Sequence, residues 1–220
     1  MPIDRRRLVA LLLVLTAVTG IVDAVSYLRL GHVFVANMTG NVVFLGLSAY
    51  PGSGLSPVAS ATAIAAFLAG SMLGGRLGTL LDRRPRRWLV VAFTLQAVLL
   101  AGATALSVPD VPALALTIPL AVAFGLQNAT VRRLAARDLT TTVLTLTLTG
   151  LAADSVLAGG SGQKPLRRVG SVLAMFAGAV VGALLLRVGI TVTLALATTL
   201  VAFVAIATDG KDAATEATPP

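Results

Sequence analysis

Residues 20–46 read GIVDAVSYLRLGHVFVANMTGNVVFLG. This stretch carries one carboxylate, Asp23, inside an apolar run, then a polar break, Asn37-Met38-Thr39-Gly40-Asn41, and then a second apolar run. In a bilayer, non-helical backbone is tolerated only where protein buries it or where it lines a cavity, so such a break marks a place where the chain does something other than cross. The design returns in the second half as Gly125-Leu-Gln-Asn-Ala129, followed by the Thr-rich residues 140–150.

The surrounding chain of 220 residues is 56% hydrophobic and only 12% charged, with a mean hydropathy of +0.92. These values lie outside the range of soluble globular domains and imply an integral membrane protein whose first partner is the lipid bilayer. A crossing takes roughly 20 apolar residues, so the length leaves room for one membrane domain, residues 1–208, and a polar tail, 209–220, expected to be disordered. The net charge of +8 does not indicate a nucleic-acid partner. Aromatics are only 5% of the chain, and the basic residues lie between apolar runs, as they do in cytoplasmic loops. With no cysteine and a single histidine, His32, the sequence implies no metal site and no cofactor. No phosphate loop or hydrolase motif is present, so an enzyme is not expected.

Eight apolar runs stand out, at 8–28, 33–49, 58–81, 88–108, 111–131, 139–158, 169–186 and 188–207. The first resembles the apolar region of a signal peptide, but it runs on into Asp23 and Tyr27 and reads as the first span. Charge decides how many runs cross. If all eight did, with the amino end inside, Arg83, Arg84, Arg86, Arg87, Arg132, Arg133 and Arg137 would all face outward, against the positive-inside tendency. If 33–49 and 139–158 enter and leave on one side, fourteen of the seventeen basic residues fall inside, leaving Arg29 and Arg187 outside and Arg76 within a span.

The expected fold is therefore an all-α polytopic membrane protein with six transmembrane helices plus two re-entrant or broken segments. Three crossings per half make the halves, about 8–108 and 111–208, inverted repeats, the arrangement in which secondary transporters carry a polar site at the repeat interface. The candidate site for a small solute or ion consists of Asp23, Asn37, Thr39, Gly40, Asn41, Asn128, Thr142 and Thr145. Asp23 is an ionisable group within a span, where it serves an ion, a proton or a partner such as Arg29 or His32. Asn37 and Asn41 share one helix face at i,i+4 spacing and can bind a ligand or join helices. Asn128, beside Gln127, takes the place of Asp23 in the second half. Asp154 is the other acid inside an apolar run, either functional or climbing back to the cytoplasmic surface. Gly70, Gly74, Gly178 and Gly182 form small-xxx-small faces for close helix packing, within the chain or against a second copy.

At residues 20–28, 31–41 and 125–129 the chain resembles the YoaK family of bacterial inner-membrane proteins, with Ala36-Asn-Met-Thr-Gly-Asn41 as the most specific signature. The resemblance runs from about residue 8 to 207. It implies six spans and an inner-membrane location, and it supplies no substrate. One departure stands in the second half, where Thr145-Leu146 replaces the Thr-Gly of the family pattern, so the break opposite Gly40 is lost unless Thr149-Gly150 takes its place. The leading expected reading is a permease, against it a non-transporting membrane subunit or assembly factor, and an enzyme on lipid substrates comes third.

Overall fold

The computed structural model describes residues 5–107, 109, 111–134, 144–160 and 165–209. Among them are six long helices, α1 (Arg5–Arg29), α3 (Pro57–Leu80), α4 (Pro85–Leu106), α5 (Ala113–Arg133), α7 (Pro165–Leu185) and α8 (Ile190–Asp209), and two short ones, α2 (Met38–Leu47) and α6 (Leu144–Ala153). All six long helices have the length and hydropathy to cross a bilayer. The two short helices have 10 residues each, about 15 Å of rise, half of what a crossing takes. Asp209 closes α8, and the remainder of the expected tail lies outside the described residues.

The contacts fix the direction of each long helix. Arg7 at the start of α1 donates to the Ala207 carbonyl at the end of α8, so α1 and α8 are antiparallel. Thr104 meets Thr198 while Ser107 meets Thr191, which makes α4 antiparallel to α8 and therefore parallel to α1. One net crossing must then lie between α1 and α4, and α3 supplies it; α2 makes no net crossing. The same logic holds in the second half. Main chain at Ala17 and Ile21 of α1 faces Gly178 and Gly182 of α7, so α1 and α7 are parallel, and α6 between α5 and α7 makes no net crossing either. Had all eight runs crossed, α4 and α8 would be parallel.

Helix pairing explains the glycines. The most extensive packings are α3 on α5 and α1 on α7, each joining a helix of one half to a helix of the other. In the first pair Gly125 lies against the main chain of Phe67 and Ser71, Gly70 against Val122, and Gly74 against Leu126 and Ala129. In the second, Gly20 lies against Met175 and Ala179, Gly178 against Ala17, and Gly182 against Ile21 and Ala24. Every α5 residue here is its α1 counterpart plus 105, and every α7 residue its α3 counterpart plus 108. Without a hydrophobic force between helices in lipid, such backbone-to-backbone contacts supply the packing. They also correct one expectation: Gly70, Gly74, Gly178 and Gly182 are buried within the chain and present no face to a second copy.

Candidate functional site

On α1 the buried polar residues Thr16, Thr19, Asp23 and Ser26 recur at helical spacing and form one interior stripe. The three hydroxyls satisfy themselves on carbonyls of α1, to Leu12, Leu15 and Asp23 respectively. Asp23, 6% exposed, turns to the next segment of chain. Its Oδ1 accepts from the backbone N–H of Val35 at 3.2 Å and of Ala36 at 3.1 Å. Neither Arg29 nor His32 is its partner, as sequence spacing had suggested.

This bond defines the path of residues 30–37. After α1 ends, Gly31 and His32 take positive φ values of 91° and 57°, which turns the chain back on itself. The Tyr27 ring supports the turn, edge-on to His32 at 5.1 Å and stacked on Phe34 at 5.4 Å. The returning segment buries Val33, Val35 and Ala36 and reaches the level of Asp23, six residues and so about 9 Å below the end of α1. There α2 begins and climbs back. Residues 33–47, most of the run 33–49 expected to enter and leave on one side, thus fold back on themselves.

Asn41 makes the second tether. Fully buried on α2, its Oδ1 accepts from Phe34 N at 2.8 Å and its Nδ2 donates to Phe34 O at 2.6 Å, copying the pairing of a backbone strand with a side-chain amide. Gly40 admits this arrangement, because a β-carbon there would stand 2.6 Å from the Phe34 ring. The close approach expected at Gly40 is therefore made by Phe34. Asn37 is the N-cap of α2, exposed and without a side-chain capping bond, and Thr39 is exposed beside it.

In the second half Asn128 donates to the Phe124 carbonyl at 2.9 Å. Thr145 is exposed in the first turn of α6, Thr147 is buried, and Thr142 lies outside the described residues. The carboxyl end of α6 is fastened by Arg168 of α7, which reaches the Gly150 carbonyl at 2.5 Å and Asp154 at 2.7 Å. Asp154 is more than half exposed in this ion pair and belongs to the basic end of the bundle. The period-two Thr residues at 145, 147 and 149 stand on a helix.

The structure brings forward a residue that the pattern did not single out. Gln96 of α4 donates through Nε2 to Gln127 Oε1 of α5 at 2.6 Å, and Gln127 Nε2 donates to Thr19 Oγ1 of α1 at 3.1 Å. All three are at most 1% exposed, and Gln96 Oε1 is buried with no partner among the described residues. Thr19 lies one turn before Asp23 on the same stripe, so this chain of amides and the re-entrant segment adjoin. A lone Gln among apolar residues was the only sequence signal.

Six long apolar helices, with a short helix folded back between the first two of them, make this a multi-pass membrane protein. It belongs to the DUF1275 family, described as a protein of unknown function, whose model matches residues 11–207. The chain is also similar to the UPF0700 transmembrane protein YoaK of Bacillus subtilis (strain 168), with 37% identity over 150 residues. That match covers 65% of this chain and 64% of the relative. No solved structure matches.

Proposed function

We propose that the protein is a permease for a small solute or ion, embedded in the bacterial inner membrane with both termini cytoplasmic. The observation that carries this reading is the re-entrant segment: α2 starts partway along α1, near the level of the ionisable Asp23, and the two halves around it run in opposite directions. Broken helices at the interface of opposed halves are where secondary transporters bind their cargo. Asn37, Thr39 and the open first turn of α2 face that cargo, and the Thr19–Gln127–Gln96 chain extends the polar surface into the bundle. Asp23 couples protons to movement, because a protonated carboxyl accepts more weakly than a carboxylate. Proton uptake then loosens Val35 and Ala36, and proton loss fastens them.

Single cysteines at Asn37 and Thr39 test the reading in this cysteine-free chain. Both react with a hydrophilic thiol reagent, and the cargo protects them; a failure of either to react overturns it. A second reading, a subunit or assembly factor without transport, is favoured by the use of Asp23 Oδ1 and of the whole Asn41 amide in holding main chain. In that case Asp23→Asn alters stability alone, whereas in a proton-coupled permease it keeps the fold and abolishes the pH dependence of uptake.

A further inference from the structure

Arg76 is the one basic residue well inside an apolar run, and neither the fold nor the re-entrant segment uses it. It lies on α3 four residues before the helix ends at Leu80, about 6 Å below the end of the helix. The opposite face of α3, Gly70, Gly74 and Gly78, is buried against α5. Arg76 instead stands on the outer face among Met72, Leu73 and Leu80, all exposed, a surface suited to acyl chains. It makes no hydrogen bond or ion pair with any described residue. A guanidinium so placed is costly unless it reaches toward the interface and finds an anion there.

At the end of that face the α3–α4 turn folds around a cavity of about 560 Å³ lined by Thr79, Leu80, Leu81, Asp82, Arg83 and Arg84. Thr79 and Leu80 are three and four residues beyond Arg76, hence on its side of the helix. Arg83 and Arg84 are exposed and unpaired with described residues. The one acid of the lining, Asp82, is engaged by Arg133 of α5 at 2.6 Å, which leaves the other two charges uncompensated. The cavity is thus open, cationic and continuous with an apolar strip.

We infer that Arg76, Arg83 and Arg84 hold the phosphate of an anionic phospholipid whose acyl chains lie along Met72, Leu73 and Leu80. The ligand chemistry is a phosphate monoanion, and the apolar strip selects the lipid over free phosphate. Each arginine near a membrane surface contributes about 1 kcal/mol toward an anionic lipid, or about fivefold in affinity.

Native mass spectrometry of the full chain in detergent, titrated with dioleoylphosphatidylglycerol, dioleoylphosphatidylcholine or inorganic phosphate, tests this. The wild type retains one phosphatidylglycerol in preference to phosphatidylcholine, and millimolar phosphate does not displace it. Arg76→Gln weakens that adduct about fivefold and the triple Arg76→Gln, Arg83→Gln, Arg84→Gln variant about a hundredfold. Arg76→Lys retains most of it, and Arg187→Gln at the opposite end changes nothing. Equal retention of the two lipids, displacement by phosphate, or an unweakened adduct in Arg76→Gln overturns the inference.

Discussion

The two short helices occupy corresponding places in the two halves, and the tethers seen among the described residues grip them at opposite ends. α2 is secured at its amino end, where Asp23 and Asn41 grip the main chain of residues 34–36 that leads into it. α6 is secured at its carboxyl end, where Arg168 reaches Gly150 and Asp154. The long helices show the reverse pattern, with the glycine contacts of α1 on α7 repeated at fixed offset in α3 on α5. Backbone packing tolerates no substituent and so keeps the repeat, whereas a polar tether can be rebuilt from any donor and acceptor within reach. The acid of one half, Asp23, accordingly stands opposite the amide of the other, Asn128.

The glycine contacts should give the largest effects when disturbed. Leu at Gly70 or at Gly178 drives a side chain into backbone and costs about 4 kcal/mol or more, enough to remove folded protein from size-exclusion profiles. Equal losses at the two positions support the structural repeat, and a loss at only one breaks it. Gly75→Leu, at a position with open space around it, leaves the profile unchanged.

Tether mutations at α2 come next. Asp23→Leu leaves two buried N–H groups unpaired, and Asn41→Leu leaves one N–H and one carbonyl, so each destabilises by about 2–5 kcal/mol in thermal or denaturant unfolding. Asp23→Asn retains an acceptor at the same place and costs about 1 kcal/mol. If Asp23→Asn proves as damaging as Asp23→Leu, the charge rather than the hydrogen-bond geometry holds the segment.

At α6 the effect should be smaller, since the ion pair is partly exposed. Arg168→Met lowers the melting temperature by about 2–4 °C. A fall as large as that from Asn41→Leu would show that the two short helices are equally dependent on their tethers. Gln96→Leu has the smallest effect on stability, because it removes one unsatisfied acceptor while freeing another at Gln127.

Much of the architecture is legible in the sequence for a simple reason: a bilayer demands long apolar runs and sorts arginines to one side. The runs place all six long helices to within a few residues, and the polar breaks together with the charge count set 33–49 and 139–158 apart. Residues 33–36 nevertheless read as part of an apolar run, yet they form an irregular, non-helical descent before α2, because Asp23 offers the N–H groups of Val35 and Ala36 a partner other than the helix. That partnership is invisible in sequence, since the donors are main chain of Val35 and Ala36. Likewise the glycine faces announce close packing without saying that α1 meets α7 and α3 meets α5. The Gln96–Gln127 bond joins residues on different helices that no periodicity relates.

The most direct test of the account is the side on which α2 returns. Single cysteines replace His32, in the turn after α1, Ser53, just after α2, and Arg84, in the α3–α4 turn, and cells are treated with a membrane-impermeant thiol reagent before and after permeabilisation. A half-crossing α2 puts positions 32 and 53 on one side of the membrane and position 84 on the other, so His32→Cys and Ser53→Cys are labelled under one condition and Arg84→Cys under the other. Labelling of His32→Cys and Ser53→Cys under different conditions would mean that α2 crosses, and would contradict the account.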